Sequence, residues 1–136
     1  MFDKFFQIGI QENESQEEQN VYVIKSFIDD IFNNHDLSAL KKYFKNATLS
    51  EKGNPIFKKT LEAFPDIHAK IEHIISKNDQ VVVFINFNGT HKGHFKGITP
   101  TNRQVEIRSA DLYKLENEKI VDYWDIVDES DLLVKG

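Results

Sequence analysis

The sequence predicts an α+β fold, a cone-shaped, curved antiparallel sheet of about four main strands wrapped around N-terminal helices. Three observations predict it. Between Val21 and Phe64 the apolar residues recur at three- and four-residue steps, the spacing of a single helix face. From Ile67 onward they alternate, and β-branched and aromatic residues become frequent, as half-buried strands require. The segment Gly89 to Thr101 holds Gly89, Gly93, Gly97 and Pro100, enough to bend a sheet or to form a loop at a pocket mouth. Helices that precede such a sheet must cover one of its faces to bury their apolar stripes.

Each element follows from local chemistry. Ser15 and Glu18 stand at the spacing at which the two side chains reciprocally satisfy free backbone N–H groups, so a helix is expected to begin there. Val21, Ile24, Ile28 and Ile31 form its stripe, Phe27 and Phe32 widen it, and Asn33 and Asn34 end it. His35 and Asp36 offer a cap for a short second helix with Leu37, Leu40, Tyr43 and Phe44 along its apolar edge. Asn54 and Pro55 give the start signal of a third helix, since proline in the first turn loses no hydrogen bond. Phe57, Leu61 and Phe64 would face inward until Pro65 stops it, leaving 46–52 as a short strand or loop. Four strands are expected near 67–76, 80–91, 104–115 and 119–128, with turns at 77–79 and 116–118. The domain is expected over residues 15–136, with residues 1–14 as an apolar N-terminal extension.

A chain of 136 residues fits one domain with a real core, and eleven Phe supply side chains large enough to line a cavity. The net charge of -5 argues against nucleic acid or an anionic membrane as partner, because both call for a basic surface. Absence of cysteine excludes disulfides and thiol nucleophiles and is compatible with the cytoplasm, the expected location. The start of the chain is too short and too polar for a membrane span.

The last strand carries the most informative chemistry. Strict alternation places Ile120, Asp122, Trp124, Ile126 and Asp128 on one side and Val121, Tyr123 and Val127 on the other. If Glu116 pairs with Lys119 without interruption, Trp124 lies opposite Asp111, Ile126 opposite Ser109 and Asp128 opposite Ile107. Asp111, Ser109 and Tyr113 then join Trp124 and Asp128 in one patch of carboxylates, hydroxyl, phenol and indole among aliphatic groups, the makeup of a small-molecule pocket. An acidic group there is either solvated at a rim or desolvated, with its pKa raised into the range useful for proton transfer. Tyr22 and Tyr43 either reach that pocket from the helices or pack in the core. His91 either lines the site or fixes its loop. His91 and His94 turn to opposite faces without a third ligand near in sequence, so no metal is expected.

These residues carry a family resemblance. Ala63 to Asp66 (Ala-Phe-Pro-Asp), Gly89 to Gly93 (Gly-Thr-His-Lys-Gly) with Phe95 and Gly97, Pro100 and Thr101, Asp111 to Lys114, Lys119 and Ile120 leading to Trp124-x-x-x-Asp128, and Leu132 and Leu133 occur in the order seen in one family. The chain resembles the SnoaL-like polyketide cyclases, or ester cyclases, of the nuclear-transport-factor-2-like (NTF2-like, cystatin-like) superfamily. The resemblance implies an α+β barrel around a hydrophobic cavity, often paired as a homodimer through its sheet. It also implies intramolecular aldol ring closure without metal or organic cofactor, with an acidic residue as general acid/base. The Trp-x-x-x-Asp motif puts that role on Asp128. Relative to the family, the segment 47–52 is brief and lacks a histidine.

The sequence therefore supports a cofactor-independent cyclase or isomerase acting on a small hydrophobic carbonyl compound, with Asp128 and Asp111 as catalytic candidates. Trp124, Ser109, Tyr113, Tyr22, Tyr43 and His91 are the candidate ligand contacts. The alternatives are a non-catalytic ligand-binding protein and an interaction module in which Phe2, Phe5, Phe6, Ile8 and Ile10 dock on a partner or on the barrel.

Overall fold

The computed structural model describes residues 2–133, with side chains described for residues 15–132. Helix α1 spans Phe2–Ile28 and runs on through a wider π turn, Asp29–Asn33, closed by Asn34 N–H donating to the Asp29 carbonyl. A tight turn, Leu37–Ala39, leads into the short α2, Leu40–Tyr43. Helix α3, Ala47–Ala63, precedes strands β1 (His68–Lys77), β2 (Gln80–Thr90), β3 (Gln104–Glu116) and β4 (Lys119–Asp128), and a last turn of helix, α4, covers Ser130–Leu133. The strands form one antiparallel sheet in the order β1-β2-β3-β4. Curved and open, it is the expected α+β architecture with the helices on its inner face.

Both hairpins turn through left-handed backbone at the anticipated places. Asn117 and Glu118 have φ of 50° and 63°, the two positive values that suit a tight turn to the right-handed strand twist, and Asn78 has φ of 55°.

Helix α1 begins well before Ser15. Glutamines and glutamates from Gln11 to Gln19 are good helix formers, so the polar run extends the helix and Ser15 lies within it. The docking surface expected of Phe2, Phe5, Phe6, Ile8 and Ile10 concerns side chains outside the described residues. Helix α3 also starts earlier than anticipated. The Asn46 side chain accepts from the Leu49 N–H at 2.9 Å and caps it, so 47–52 is helical. Pro55, on the exposed side, costs one backbone hydrogen bond inside the helix, while Ser50, Gly53 and Phe57 stay buried on the other side.

Phe27 organises the core. Fully buried, it meets Tyr43, Phe44, Phe57 and Tyr113 edge-on at 5.6, 5.7, 5.9 and 5.7 Å between ring centroids, joining α1 to α2, α3 and β3. The Asn33 side chain adds a polar tie: it accepts from the Ala69 N–H at 2.7 Å and donates to the Ala69 carbonyl at 3.1 Å, holding the end of α1 to β1.

The long connection between β2 and β3 is seated on the end of α3. Lys92 and Gly93 both donate their N–H to the Ala63 carbonyl, at 2.9 and 3.1 Å. A Cβ on Gly93 would stand 2.9 Å from the Glu62 carbonyl oxygen and 3.0 Å from Ala63 Cα, both backbone atoms that cannot swing aside. Gly93→Ala is therefore expected to destabilise the fold by about 1–3 kcal/mol, the usual range for forced overpacking. The midpoint of urea unfolding checks it; an unchanged midpoint would mean that the loop does not rest on α3.

Candidate functional site

A single extra residue in β4 determines what faces the cavity. Leu115 pairs with Ile120 but Lys114 pairs with Asp122, so Val121 is bulged out of the ladder. Since side chains alternate, a one-residue shift sends the whole remaining strand to the opposite face. Ile120 points into the core as anticipated, but beyond the bulge Tyr123, Asp125 and Val127 face inward, whereas Trp124, Ile126 and Asp128 face outward. The expected alignment of Trp124 with Asp111 is thereby corrected: Leu112 is opposite Trp124, Arg108 opposite Asp128, and Asp111 opposite Asp125.

The inner face bounds a cavity of about 370 Å³. Ser109, Asp111 and Tyr113 of β3 and Tyr123, Asp125 and Val127 of β4 form one side. Phe32, Phe57, Phe87, Phe95 and Ile107 supply apolar walls, and Lys59, Thr60, His94 and Lys96 line the side formed by α3 and the β2–β3 loop. A mostly apolar pocket with a few convergent polar groups is the general form of a small-molecule site. Among the described residues, no group of three or more His, Asp or Glu side chains is arranged to hold a metal ion.

Asp111 is the chemically distinctive group. It is 8% exposed, and burial, the largest influence, pushes its carboxyl up to about 6; the nearby Asp125 charge pushes the same way. The Tyr113 hydroxyl opposes this by donating to Asp111 Oδ2 at 3.1 Å. Tyr113 is itself buried, and burial followed by the Asp111 charge holds its phenol well above the usual range, so it remains a proton-bearing donor. Asp111 Oδ1 and Ser109 Oγ are buried without a hydrogen bond to protein, on the wall of the cavity. Tyr123, stacked on Tyr113 at 6.1 Å, has its phenol raised by burial and then by Asp125 and Asp111.

The other anticipated residues lie elsewhere. Asp128 is exposed on the outer face, where its carboxylate accepts from Ser130 and is held below its ordinary pKa, first by those hydrogen bonds. Trp124 is 51% exposed beside it. Tyr22 is exposed and outside the cavity lining. Tyr43 is buried against Phe27, and its hydroxyl donates to Asp30. That bond follows burial among the forces raising its pKa. His91 is fully buried behind the cavity, tilted against Phe64 at 5.5 Å with Nδ1 3.2 Å from Thr101 Oγ1, and its backbone bonds to Asn102 and Arg103 pin the loop. Of the candidates read from the sequence, Asp111, Ser109 and Tyr113 are brought together. Asp125, Tyr123 and the cations Lys59 and Lys96 were not anticipated. Asp125 carries no sequence signal that separates it from Asp122 or Asp128 without knowledge of the bulge.

The curved, open four-stranded antiparallel sheet with N-terminal helices is the NTF2-like architecture. The chain belongs to the SnoaL-like polyketide cyclase family, whose model matches residues 22–135. Among solved structures it is similar to AclR of Streptomyces galilaeus, for which a hydroxylase activity has been suggested, with 22% identity, 86% of this chain and 94% of that one covered, and a TM-score of 0.75. TsrD of Streptomyces laurentii is similar at 17% identity, 85% and 92% coverage and a TM-score of 0.75. A SnoaL-like polyketide cyclase of Agrobacterium tumefaciens is similar at 18% identity, 82% and 92% coverage and a TM-score of 0.71. Such identities speak to the fold alone. Among curated proteins no relative matches the chain.

The raised Asp111 carboxyl has a consequence for stability. Its folded pKa lies above that of an exposed carboxylate, so the folded state binds the proton more tightly than the unfolded one. The resulting cost is absent below about pH 4, grows as pH rises towards 6, and is fully present above that. Asp111→Asn removes it. The variant is expected to match the native protein in urea at pH 4 and to exceed it at pH 8, by up to about 3 kcal/mol at ~1.4 kcal/mol per unit. A difference independent of pH would rule out a desolvated Asp111.

Proposed function

We propose that this chain is a cofactor-independent cyclase or isomerase for a small hydrophobic carbonyl compound, with Asp111 as the proton carrier. The observation that supports it is the position of Asp111: a carboxyl with a pKa of about 6, set among aromatic walls and hydrogen-bonded to a phenol that does not ionise. A general base works best when its pKa lies near the working pH. At neutral pH the Asp111 carboxylate removes a proton from the carbon next to a carbonyl, and the C–H electron pair moves into an enolate. Ser109 Oγ–H donates to the enolate oxygen. The enolate carbon adds to a second carbonyl of the same molecule, forming the ring C–C bond, and the new alkoxide takes back the proton held on Asp111. No redox step arises. Tyr113 keeps the carboxylate oriented, and Asp125 raises its basicity.

Family membership supports this class of reaction, and the burial of Asp111 against the exposure of Asp128 favours Asp111 as the proton carrier. A non-catalytic ligand-binding role would use the same cavity and is separated by turnover. With a substrate identified by screening polyketide-like ketones, Asp111→Asn is expected to lower kcat by about 10²–10⁴-fold, while Asp128→Asn leaves it nearly unchanged. For the native protein kcat/KM should rise with pH to a plateau through an apparent pKa near 6. In Asp125→Asn that pKa should fall, since the repelling charge is gone. Loss of turnover in Asp128→Asn with retention in Asp111→Asn would return the role to Asp128.

For assembly, we infer a homodimer through the outer sheet face. Two rows of that face, Ile75–Val82–Leu112–Trp124 and His73–Phe84–Ala110–Ile126, cross all four strands. Phe84, Ile75, Trp124 and Ile126 are 42, 61, 51 and 77% exposed, a contiguous apolar patch. The flanking rows begin with Lys70 and Lys77 on β1 and end with Asp128 and Asp122 on β4. A two-fold axis along the strands sets β1 over the partner's β4, so Lys70 meets Asp128 and Lys77 meets Asp122. An axis across the strands stacks like charges and is disfavoured. Asp122→Lys with Asp128→Lys is expected to yield monomers by light scattering, and adding Lys70→Asp and Lys77→Asp to restore dimers. A native monomer, or a dimer that survives the first pair, would reject the arrangement.

A further inference from the structure

On the reading that the cavity is a ligand site, we propose that its ligand carries a carboxylate at one end, held by Lys59, His94 and Lys96 at the α3 side of the mouth. The chain has a net charge of -5, yet the three basic side chains lining this cavity all come from one edge. Lys59 extends from α3. His94 and Lys96 come from the β2–β3 loop, which is fixed beside Lys59 by the bonds of Lys92 and Gly93 to the Ala63 carbonyl at 2.9 and 3.1 Å. All three are exposed, so they stand where the cavity opens.

The opposite wall has the opposite sign. Asp111 faces Asp125 across the β3–β4 pair, and an anion placed there would meet both carboxylates. Lys59 makes no ion pair among the described residues, and Lys96 is paired with Glu129, whose competition is weak because Lys96 is 53% exposed. Phe87 and Phe95 lie among the apolar walls, so an aromatic or polyketide-like body bridges the two ends. The polarity thus orients the ligand. Its anionic head goes to the lysine edge and its acidic C–H, with the adjoining carbonyl, to Asp111 and Ser109. A neutral ester at the head would lose that orientation.

The test is an NMR titration of the ¹⁵N-labelled full chain with naphthoate and with methyl naphthoate, two probes with one aromatic body, charged and neutral. Naphthoate is expected to bind more tightly, with shifts at Lys59, His94–Lys96 and Ser109–Asp111 rather than at Phe84 or Trp124. Each exposed cation should account for up to about fivefold in affinity. The variant Lys59→Gln/His94→Gln/Lys96→Gln should therefore weaken naphthoate more than tenfold while leaving the ester within about twofold, and added salt should mimic the variant. Equal binding of acid and ester in the cavity, or naphthoate binding unaffected by the triple substitution, would overturn the inference and leave the cavity reading intact. Shifts at the cavity for neither probe would overturn both.

Discussion

The bulge at Val121 is the constraint on which the makeup of the cavity wall depends. One residue inserted between Ile120 and Asp122 gives the strand two phases: Ile120 stays in the core, and everything after Val121 is reversed. The reversal brings Asp125 and Tyr123 beside Asp111 and Tyr113, and moves Asp128 and Trp124 to the outside. Two carboxylates on adjacent strands of an inner face are an unfavourable arrangement for folding alone, since like charges opposite each other on a sheet repel. Here the repulsion adds to burial in raising Asp111 to about 6, the condition on which the proposed proton transfer rests.

The aromatic core supplies the rigid setting for that pair. Phe27 touches Tyr113 on one side and α2 and α3 on others, so the phenol that donates to Asp111 is held by the same ring that joins the helices. A buried phenol fixed in this way orients the carboxyl without competing for its proton, because burial keeps the phenol protonated. At Asp111 ionisation is costly to stability, and Ser109 Oγ beside it is buried without a hydrogen bond. Polar groups retained at a structural cost are common where a site needs them.

Much of the fold was legible in the sequence. The change from helical to alternating periodicity at Ile67 marked the boundary between helices and sheet, and both tight turns fell where Asn residues accept a left-handed backbone. The helix starts were less legible. Proline suits a first turn so well that Pro55 masks a helix already under way from Asn46, and a polar run of Gln and Glu reads equally as cap or as helix interior. The site was legible on β3, where alternation is unbroken and Ser109, Asp111 and Tyr113 point inward together. On β4 it was not, for a physical reason: Ile120, Trp124 and Ile126 make one phase as apolar as Val121, Tyr123 and Val127 make the other, so hydrophobicity does not choose between them. The bulge decides, and no glycine or proline marks it.

The tie between Asn33 and Ala69 has a further effect. By accepting from the Ala69 N–H and donating to its carbonyl, the Asn33 amide acts as one rung of a missing neighbour strand on the outer edge of β1. On the far edge the Lys45 N–H donates to the Ile120 carbonyl at 2.9 Å, and Phe44 forms an isolated bridge to Ile120. Each border of the sheet is thus plugged at one point by chain from the helical half. Exposed strand borders invite further strands and, with them, fibre growth. A helix terminus that doubles as a stopper guards the sheet against such growth as long as the helical half is folded.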